Sequence, residues 1–230
     1  FQSIWFDWDG DGFIDLFIAN DKNGANTFFH NLQNGQFEDI TLDVGLDIVM
    51  DAMTTSLGDY NSDGITDIFV TDSGIGKNPQ GSKLFRGTES GQFIEESELI
   101  GLNLYEFCWG AVWMDVDNDT DLDIFIAEHD LLNPYQENYL FENSGIETST
   151  PYEFSLFSTD VYYTDLLNSH TVATGDFDRN GWIDLVVHNV GNHKARVWMN
   201  SGFTDSPANY FQIGLLGQLS NTMGIGSWIE

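Results

Sequence analysis

Asp7-Trp8-Asp9-Gly10-Asp11-Gly12-Phe13-Ile14-Asp15, followed by Leu16-Phe17-Ile18-Ala19, decides the fold because the chain repeats it three more times. The other copies are Asp59-Tyr-Asn61-Ser-Asp63-Gly64-Ile65-Thr-Asp67, Asp115-Val-Asp117-Asn-Asp119-Thr120-Asp121-Leu-Asp123 and Asp176-Phe-Asp178-Arg-Asn180-Gly181-Trp182-Ile-Asp184. Each places oxygen-bearing side chains at positions 1, 3, 5 and 9. A hard cation such as Ca²⁺ takes six to eight oxygens, and alternate positions of a tight loop can converge on one point. Glycine at position 6 supplies a backbone conformation that turns the loop back on itself. A single copy could be an acidic turn; four in register predict four Ca²⁺ sites.

The residues after each loop distinguish two kinds of calcium site. An EF-hand needs a bidentate Glu at position 12 and an exiting helix. Position 12 here is Ile18, Val70, Ile126 or Val187, none of which binds metal. The exits are short β-branched and aromatic runs without helical spacing, which are strand signals. The loops are therefore predicted to join two strands of a hairpin.

The loops start at residues 7, 59, 115 and 176, spaced by 52, 56 and 61 residues. A period of this size with four strands per unit is a propeller signature. First strands are predicted at 3–6, 54–57, 110–114 and 171–174, directly before the loops. Third strands are predicted at 26–31, 83–86, 138–143 and 195–200. Gly-led fourth strands come next at 35–40 and 91–95, with a looser one around 152–157 and none clear in the last unit. The second strands are apolar on both faces, as expected of a sheet packed between neighbouring sheets. The fold class is all-β: a propeller of four-stranded antiparallel blades, at about 1–48, 49–102, 103–157 and 158–205.

These loops, with the recurring Asn-x-Leu-Phe-x-Asn, Gly-x-Phe and Gly45-Leu46 or Gly101-Leu102 patterns, resemble the FG-GAP/VCBS repeat β-propellers. That family includes the integrin α-subunit head and many secreted bacterial proteins. The resemblance implies one Ca²⁺ per loop, held by the side chains of positions 1, 3, 5 and 9. It adds the backbone carbonyl of position 7, from Phe13, Ile65, Asp121 and Trp182. Residues 206–230, through Tyr210, Gly217, Asn221 and Gly224, resemble the start of an ASPIC/UnbV domain, although Thr222 and Met223 depart from its pattern. The family usually closes with about seven blades, so the chain is expected to be part of a larger propeller. A four-bladed ring is the alternative.

Composition narrows the function. With 41% hydrophobic residues the chain can bury a sizeable core, and no apolar run reaches the ~18 residues of a membrane span. Thirty-seven acids against seven bases give a formal charge of −30, which offers no basic patch to nucleic acid. The lone Cys108 cannot form an internal disulfide. Extracellular calcium modules have dissociation constants of about 10⁻⁴–10⁻³ M, so the loops point to secretion. The expected function is a non-catalytic scaffold for an extracellular protein or glycan, with self-association possible. A structural component of an extracellular filament or surface layer and a non-catalytic part of a secreted polysaccharide-active enzyme are the alternatives.

Other motifs carry less. The sequon at Asn118 lies inside a metal loop and is rejected as a glycan site. The run from Gly74 to Lys83 ends Gly-Ser-Lys, not the Gly-Lys-Ser/Thr of a phosphate loop. Glu128-His129-Asp130 is read as a polar loop start, Cys108 and the tryptophans as packing residues, and Tyr105 and Tyr135 as candidate sugar-stacking tips. Thr120, in the place of a glycine, is expected to adopt a strained positive φ.

Overall fold

The computed structural model describes residues 2–74, 80–129, 137–145, 152–157, 167–202 and 213. Four antiparallel sheets succeed one another along the chain. The first contains β1 (Gln2–Phe6), β2 (Asp15–Ala19), β4 (Thr27–Asn31) and β5 (Phe37–Asp39). The second contains β3 (Asp21–Ala25), β6 (Val49–Gly58), β7 (Asp67–Asp72), β8 (Lys83–Gly87) and β9 (Phe93–Glu95). The third contains β10 (Cys108–Met114), β11 (Asp123–Glu128), β12 (Tyr139–Asn143) and β13 (Phe154–Leu156). The fourth contains β14 (Ser169–Gly175), β15 (Asp184–Asn189) and β16 (Arg196–Trp198), three strands among the described residues. These are β-propeller blades, each with its strands in meander order.

Alternation along the second strands explains why they are apolar on both faces. Every residue of β7 and β11 is buried. Ile68 and Val70 face the first blade, in a cluster with Phe17, Phe28 and Phe93, while Phe69 between them joins Trp113 and Ile124 of the third. Ile124 and Ile126 likewise point back to the second blade, whereas Phe125 and Ala127 pack on Leu185 and Val187 of the fourth. Period-2 side-chain geometry thus divides each central strand between two interfaces.

Blades are joined by two features that the pattern of strands does not contain. A single helical turn, α1 (Thr41–Val44) or α2 (Ser97–Ile100), links one blade to the next. Each turn ends on a left-handed glycine, Gly45 or Gly101, with φ of 83° and 84°. A Cβ on Gly45 would lie 2.9 Å from the Phe93 carbonyl oxygen and one on Gly101 3.0 Å from that of Phe154. Only glycine lets the next blade's outer strand approach this closely. The second feature is β3, which leaves the first blade and pairs with β6 of the second, opposing Asp21 to Asp51. Its sequence, Asp-Lys-Asn-Gly-Ala, has no strand propensity; backbone pairing imposed by the tertiary fold outweighs it.

The first strands run longer than predicted, most of all β6, which extends back to Val49. Of the tryptophans, Trp113 packs in the core but Trp5 is 55% exposed and meets Phe37 edge-on at 6.2 Å. Among the described residues no helix is long and apolar enough to cross a membrane.

Candidate metal centres

Register places the four acidic loops identically. Phe6 opposes Asp15, Gly58 opposes Asp67, Met114 opposes Asp123 and Gly175 opposes Asp184. The residue before position 1 therefore always pairs with position 9, and each loop closes the hairpin between a blade's first two strands. Two residues per loop have positive φ. Position 6 has 86° at Gly12, 82° at Gly64, 82° at Thr120 and 87° at Gly181. Position 4 also turns left-handed, at Gly10, Ser62, Asn118 and Arg179, which the sequence pattern does not announce.

The side chains hold the loop by a repeated set of bonds. Position 1 accepts the position-6 amide: Gly12 N–H to Asp7 at 2.9 Å, Gly64 to Asp59 at 2.8 Å, Thr120 to Asp115 at 3.2 Å and Gly181 to Asp176 at 3.0 Å. Position 5 accepts the position-7 amide: Phe13 to Asp11, Ile65 to Asp63, Asp121 to Asp119 and Trp182 to Asn180, at 2.8–2.9 Å. Position 3 accepts the position-5 amide in three loops, at Asp9, Asn61 and Asp178.

Position 9 is the deepest member. Asp15, Asp67, Asp123 and Asp184 are each no more than 1% exposed. One oxygen accepts the position-2 amide, from Trp8, Tyr60, Val116 and Phe177 at 2.7–3.0 Å. The other accepts an amide at the end of the third strand, from Asn31, Gly87, Asn143 and Asn200 at 2.7–2.9 Å. This carboxylate therefore ties loop, second strand and third strand together as well as facing the loop's interior.

Positions 1, 3 and 9 converge. In the first, third and fourth loops, carboxylate oxygens of Asp7, Asp9 and Asp15, of Asp115, Asp117 and Asp123, and of Asp176, Asp178 and Asp184 lie within 4.8 Å of one another. Two oxygens bound to one Ca²⁺ at 2.3–2.6 Å can be no farther apart than about 5 Å, so the spacing suits a shared cation. The second loop has Asn61 in place of the third carboxylate. Two further observations fit a cation: Oδ1 of Asp7 and Oδ1 of Asp117 are buried without a hydrogen-bond partner. Buried acceptors of this kind are rare in finished structures and call for an ion or a water.

Electrostatics point the same way. Burial pushes Asp67 up to about 7 and Asp123 up to about 8, outweighing the backbone amides that favour their charged forms. Asp117 rises to about 6, through burial and then the neighbouring Asp119 and Asp115. Clustered, desolvated carboxylates resist ionisation unless a positive charge joins them. In the first loop His30 Nδ1 stands 3.1 Å from Asp15 and 3.9 Å from Asp9.

A second set of residues couples these loops between blades. Asn143 Nδ2 donates to the Tyr60 carbonyl of the preceding blade's loop at 2.8 Å, and Asn200 Nδ2 to the Val116 carbonyl at 2.7 Å. The first blade's equivalent, Asn31, bonds the Ile14 carbonyl of its own loop. In the second blade the place is taken by Gly87, whose Cβ would lie 2.6 Å from the Thr66 carbonyl oxygen.

The remaining sequence candidates fall elsewhere. Glu128 and His129 are 2% and 5% exposed, so they are not a solvated loop start. Glu128 ends β11, and the His129 ring sits edge-on to Phe107 at 5.5 Å. Cys108 is fully buried, and burial pushes its thiol far up, which fits packing and not nucleophilic chemistry. Thr120 has the positive φ expected of it, and Tyr105 is exposed. Asp130, Tyr135 and the ASPIC/UnbV-like segment from Tyr210 to Gly226 lie outside the described residues, except Ile213.

The FG-GAP-like repeat matches residues 7–70, 59–126 and 115–187. Each match opens at position 1 of one loop and ends in the second strand of the next blade. The chain belongs to the FG-GAP-like repeat family. No curated protein matches it.

Proposed function

We propose that this chain is a secreted, calcium-stabilised propeller module that works as a non-catalytic binding scaffold for an extracellular protein or glycan. The observation that carries the reading is the convergence of positions 1, 3 and 9 on one point in three separate loops, with buried acceptors left over at Asp7 and Asp117. FG-GAP repeats are a fold of interaction modules, and the fold alone does not name the partner.

The side chains that would hold Ca²⁺ are Asp7, Asp9, Asp11 and Asp15; Asp59, Asn61, Asp63 and Asp67; Asp115, Asp117, Asp119 and Asp123; and Asp176, Asp178, Asn180 and Asp184. The carbonyls of Phe13, Ile65, Asp121 and Trp182 complete the sets. Calcium held there would supply charge neutralisation at each hairpin. The protein's own groups do the rest: the position-1 and position-5 side chains fix the loop path, and position 9 transmits that geometry to the third strand. Rigid loops at the same end of each blade then present a surface to a partner.

Metal that binds only the folded form stabilises by about 2.7 kcal/mol per site at a hundredfold excess over Kd. A thermal melt in chelator and in millimolar calcium tests the reading, with titration calorimetry expected to count about four sites. Identical melts in the two conditions would overturn it.

A further inference from the structure

The first strands of all four blades border one cavity of about 750 Å³. Gln2 comes from β1, Thr54 and Thr55 from β6, Gly110 from β10 and Thr171 from β14. The volume lies within the range of small-molecule sites, about 300–1,000 Å³. It is apart from the acidic hairpin loops, none of whose residues line it.

Three features define what the cavity could hold. The first is charge. The protein carries −30, yet among the described residues the only Asp, Glu, Lys or Arg side chains on the wall are Asp21 and Lys22, paired with each other at 2.7 Å. His170 is held neutral, its imidazole pushed down to about 4 by burial and then by His129 and His188. The wall is therefore neutral within an acidic molecule, which disfavours a cationic or anionic ligand.

The second feature is unspent hydrogen-bonding capacity. Thr55 is 4% exposed and its hydroxyl is buried without a partner. Among the described residues, the side-chain hydroxyls of Thr54, Ser73 and Thr171 make no intramolecular bond, nor does the Gln2 amide nitrogen, although Gln2 Oε1 accepts the Thr55 amide at 2.9 Å. Oδ1 of Asp21 and Nε2 of His170 are also buried and unpartnered. The three buried groups, on Thr55, Asp21 and His170, are of the kind that water or a ligand usually completes, while the exposed Gln2 and Thr171 and the half-buried Thr54 leave their polar groups open to an incoming molecule.

The third is an aromatic surface. Trp109 stacks on His170 with centroids 4.1 Å apart at 18°, and Phe107 leans on Trp109 at 5.2 Å. One face of Trp109 is taken by His170, but the ring is only half-buried, and aromatic surface beside neutral hydroxyl and amide groups complements a ring that has apolar C–H faces and hydroxyls at its edge.

We infer that this cavity binds a neutral carbohydrate of one to three rings, with Trp109 as the stacking surface and Gln2, Thr54, Thr55 and Ser73 as hydrogen-bonding partners. The inference rests on the scaffold reading above and moves its glycan contact from the loops to the first strands of the blades. Placement of the hydroxyl and amide groups along the wall, not the calcium loops, then sets which sugar is accepted.

The test uses the full chain in millimolar calcium against a panel of neutral mono-, di- and trisaccharides, with spermidine and a neutral tripeptide as controls. A saccharide should bind and quench tryptophan fluorescence. Thr54→Val and Ser73→Ala should each weaken it about tenfold, as loss of one hydrogen-bonding partner does, without moving the melting temperature. Trp109→Ala should weaken it further. If that variant fails to fold, the two hydroxyl variants still decide. Absence of any saccharide binding, binding unchanged in both hydroxyl variants, or binding of a control instead of sugar would overturn the inference. A calcium-dependent melt without sugar binding would leave the scaffold standing and remove only this site.

Discussion

Asp184 accepts backbone amides at both oxygens, from Phe177 at 2.7 Å and Asn200 at 2.7 Å, and is fully buried. Asp178, in the same loop, is exposed and among the described residues accepts only from Asn180. The two carboxylates belong to one cluster but do different work. Asp184→Ala should therefore cost about 2–4 kcal/mol even in chelator, because two buried N–H groups lose their acceptor. Asp178→Ala should cost little in chelator and most of the calcium-dependent gain of that loop. Denaturant unfolding with and without metal separates the two, and equal losses for both variants in chelator would contradict the assignment. Thr120 provides the complementary case. Its φ of 82° is that of the glycines at the same loop position, and a β-branched residue is strained there. Thr120→Gly should leave stability unchanged or raise it by about 1 kcal/mol, glycine's extra unfolded-state entropy offsetting part of the strain released.

At the scale of the element, the blade-to-blade junctions are unequal. The third blade reaches back to the second through Asn143, which bonds the carbonyls of both Tyr60 and Leu122, and the fourth reaches the third through Asn200. Each contact fastens the acidic loop of one blade to the third strand of the next. Asn143→Ala would strand the buried Tyr60 carbonyl and should cost about 1–3 kcal/mol. Hydrogen exchange should quicken at loop amides 60–65 of the unmutated preceding blade; exchange confined to the mutated blade would show that the contact does not couple them. Gly87→Asn should not create the missing clasp between the first two blades, because its Cβ would meet the Thr66 carbonyl at 2.6 Å, and a loss of melting temperature is expected. These junctions also mark where sequence stops being informative. The hairpins were legible because loop and strands are contiguous and their periods differ, so the pairings of Phe6 with Asp15 and Met114 with Asp123 come from local pattern. Asn143 and Asn200 stand in a visible motif, yet their acceptors lie 83 and 84 residues away. The polar strand β3 was invisible for a different reason: its pairing satisfies backbone groups and owes nothing to its side chains. The cavity was hidden too, since its wall draws short runs from the first strands of four blades far apart in sequence.

For the whole molecule, charge and metal set opposite responses to pH. Burial raises Asp117 to about 6, Asp67 to about 7 and Asp123 to about 8, all above their unfolded values near 3.8. Between those limits the metal-free folded state binds more protons than the unfolded chain. Its stability is then fully present below about pH 4 and is lost as pH rises through the folded values, toward about pH 8. The overall charge of −30 acts in the same direction, because self-repulsion grows as carboxylates ionise. Calcium bound at the loops would reverse the sign, since it would take the ionised carboxylates and displace their protons. In chelator the melting temperature should therefore be higher near pH 5 than near pH 8, and in millimolar calcium it should be higher near pH 8. Raising monovalent salt should narrow the first difference by screening the exposed acids, and should leave most of it, because Asp67 and Asp123 are buried beyond the reach of that screening. A pH series of melts under the three conditions checks this. A chelated protein that gains stability from about pH 5 to about pH 8 would mean that the buried position-9 carboxylates are ionised without metal, and that the loops do not need a cation to fold.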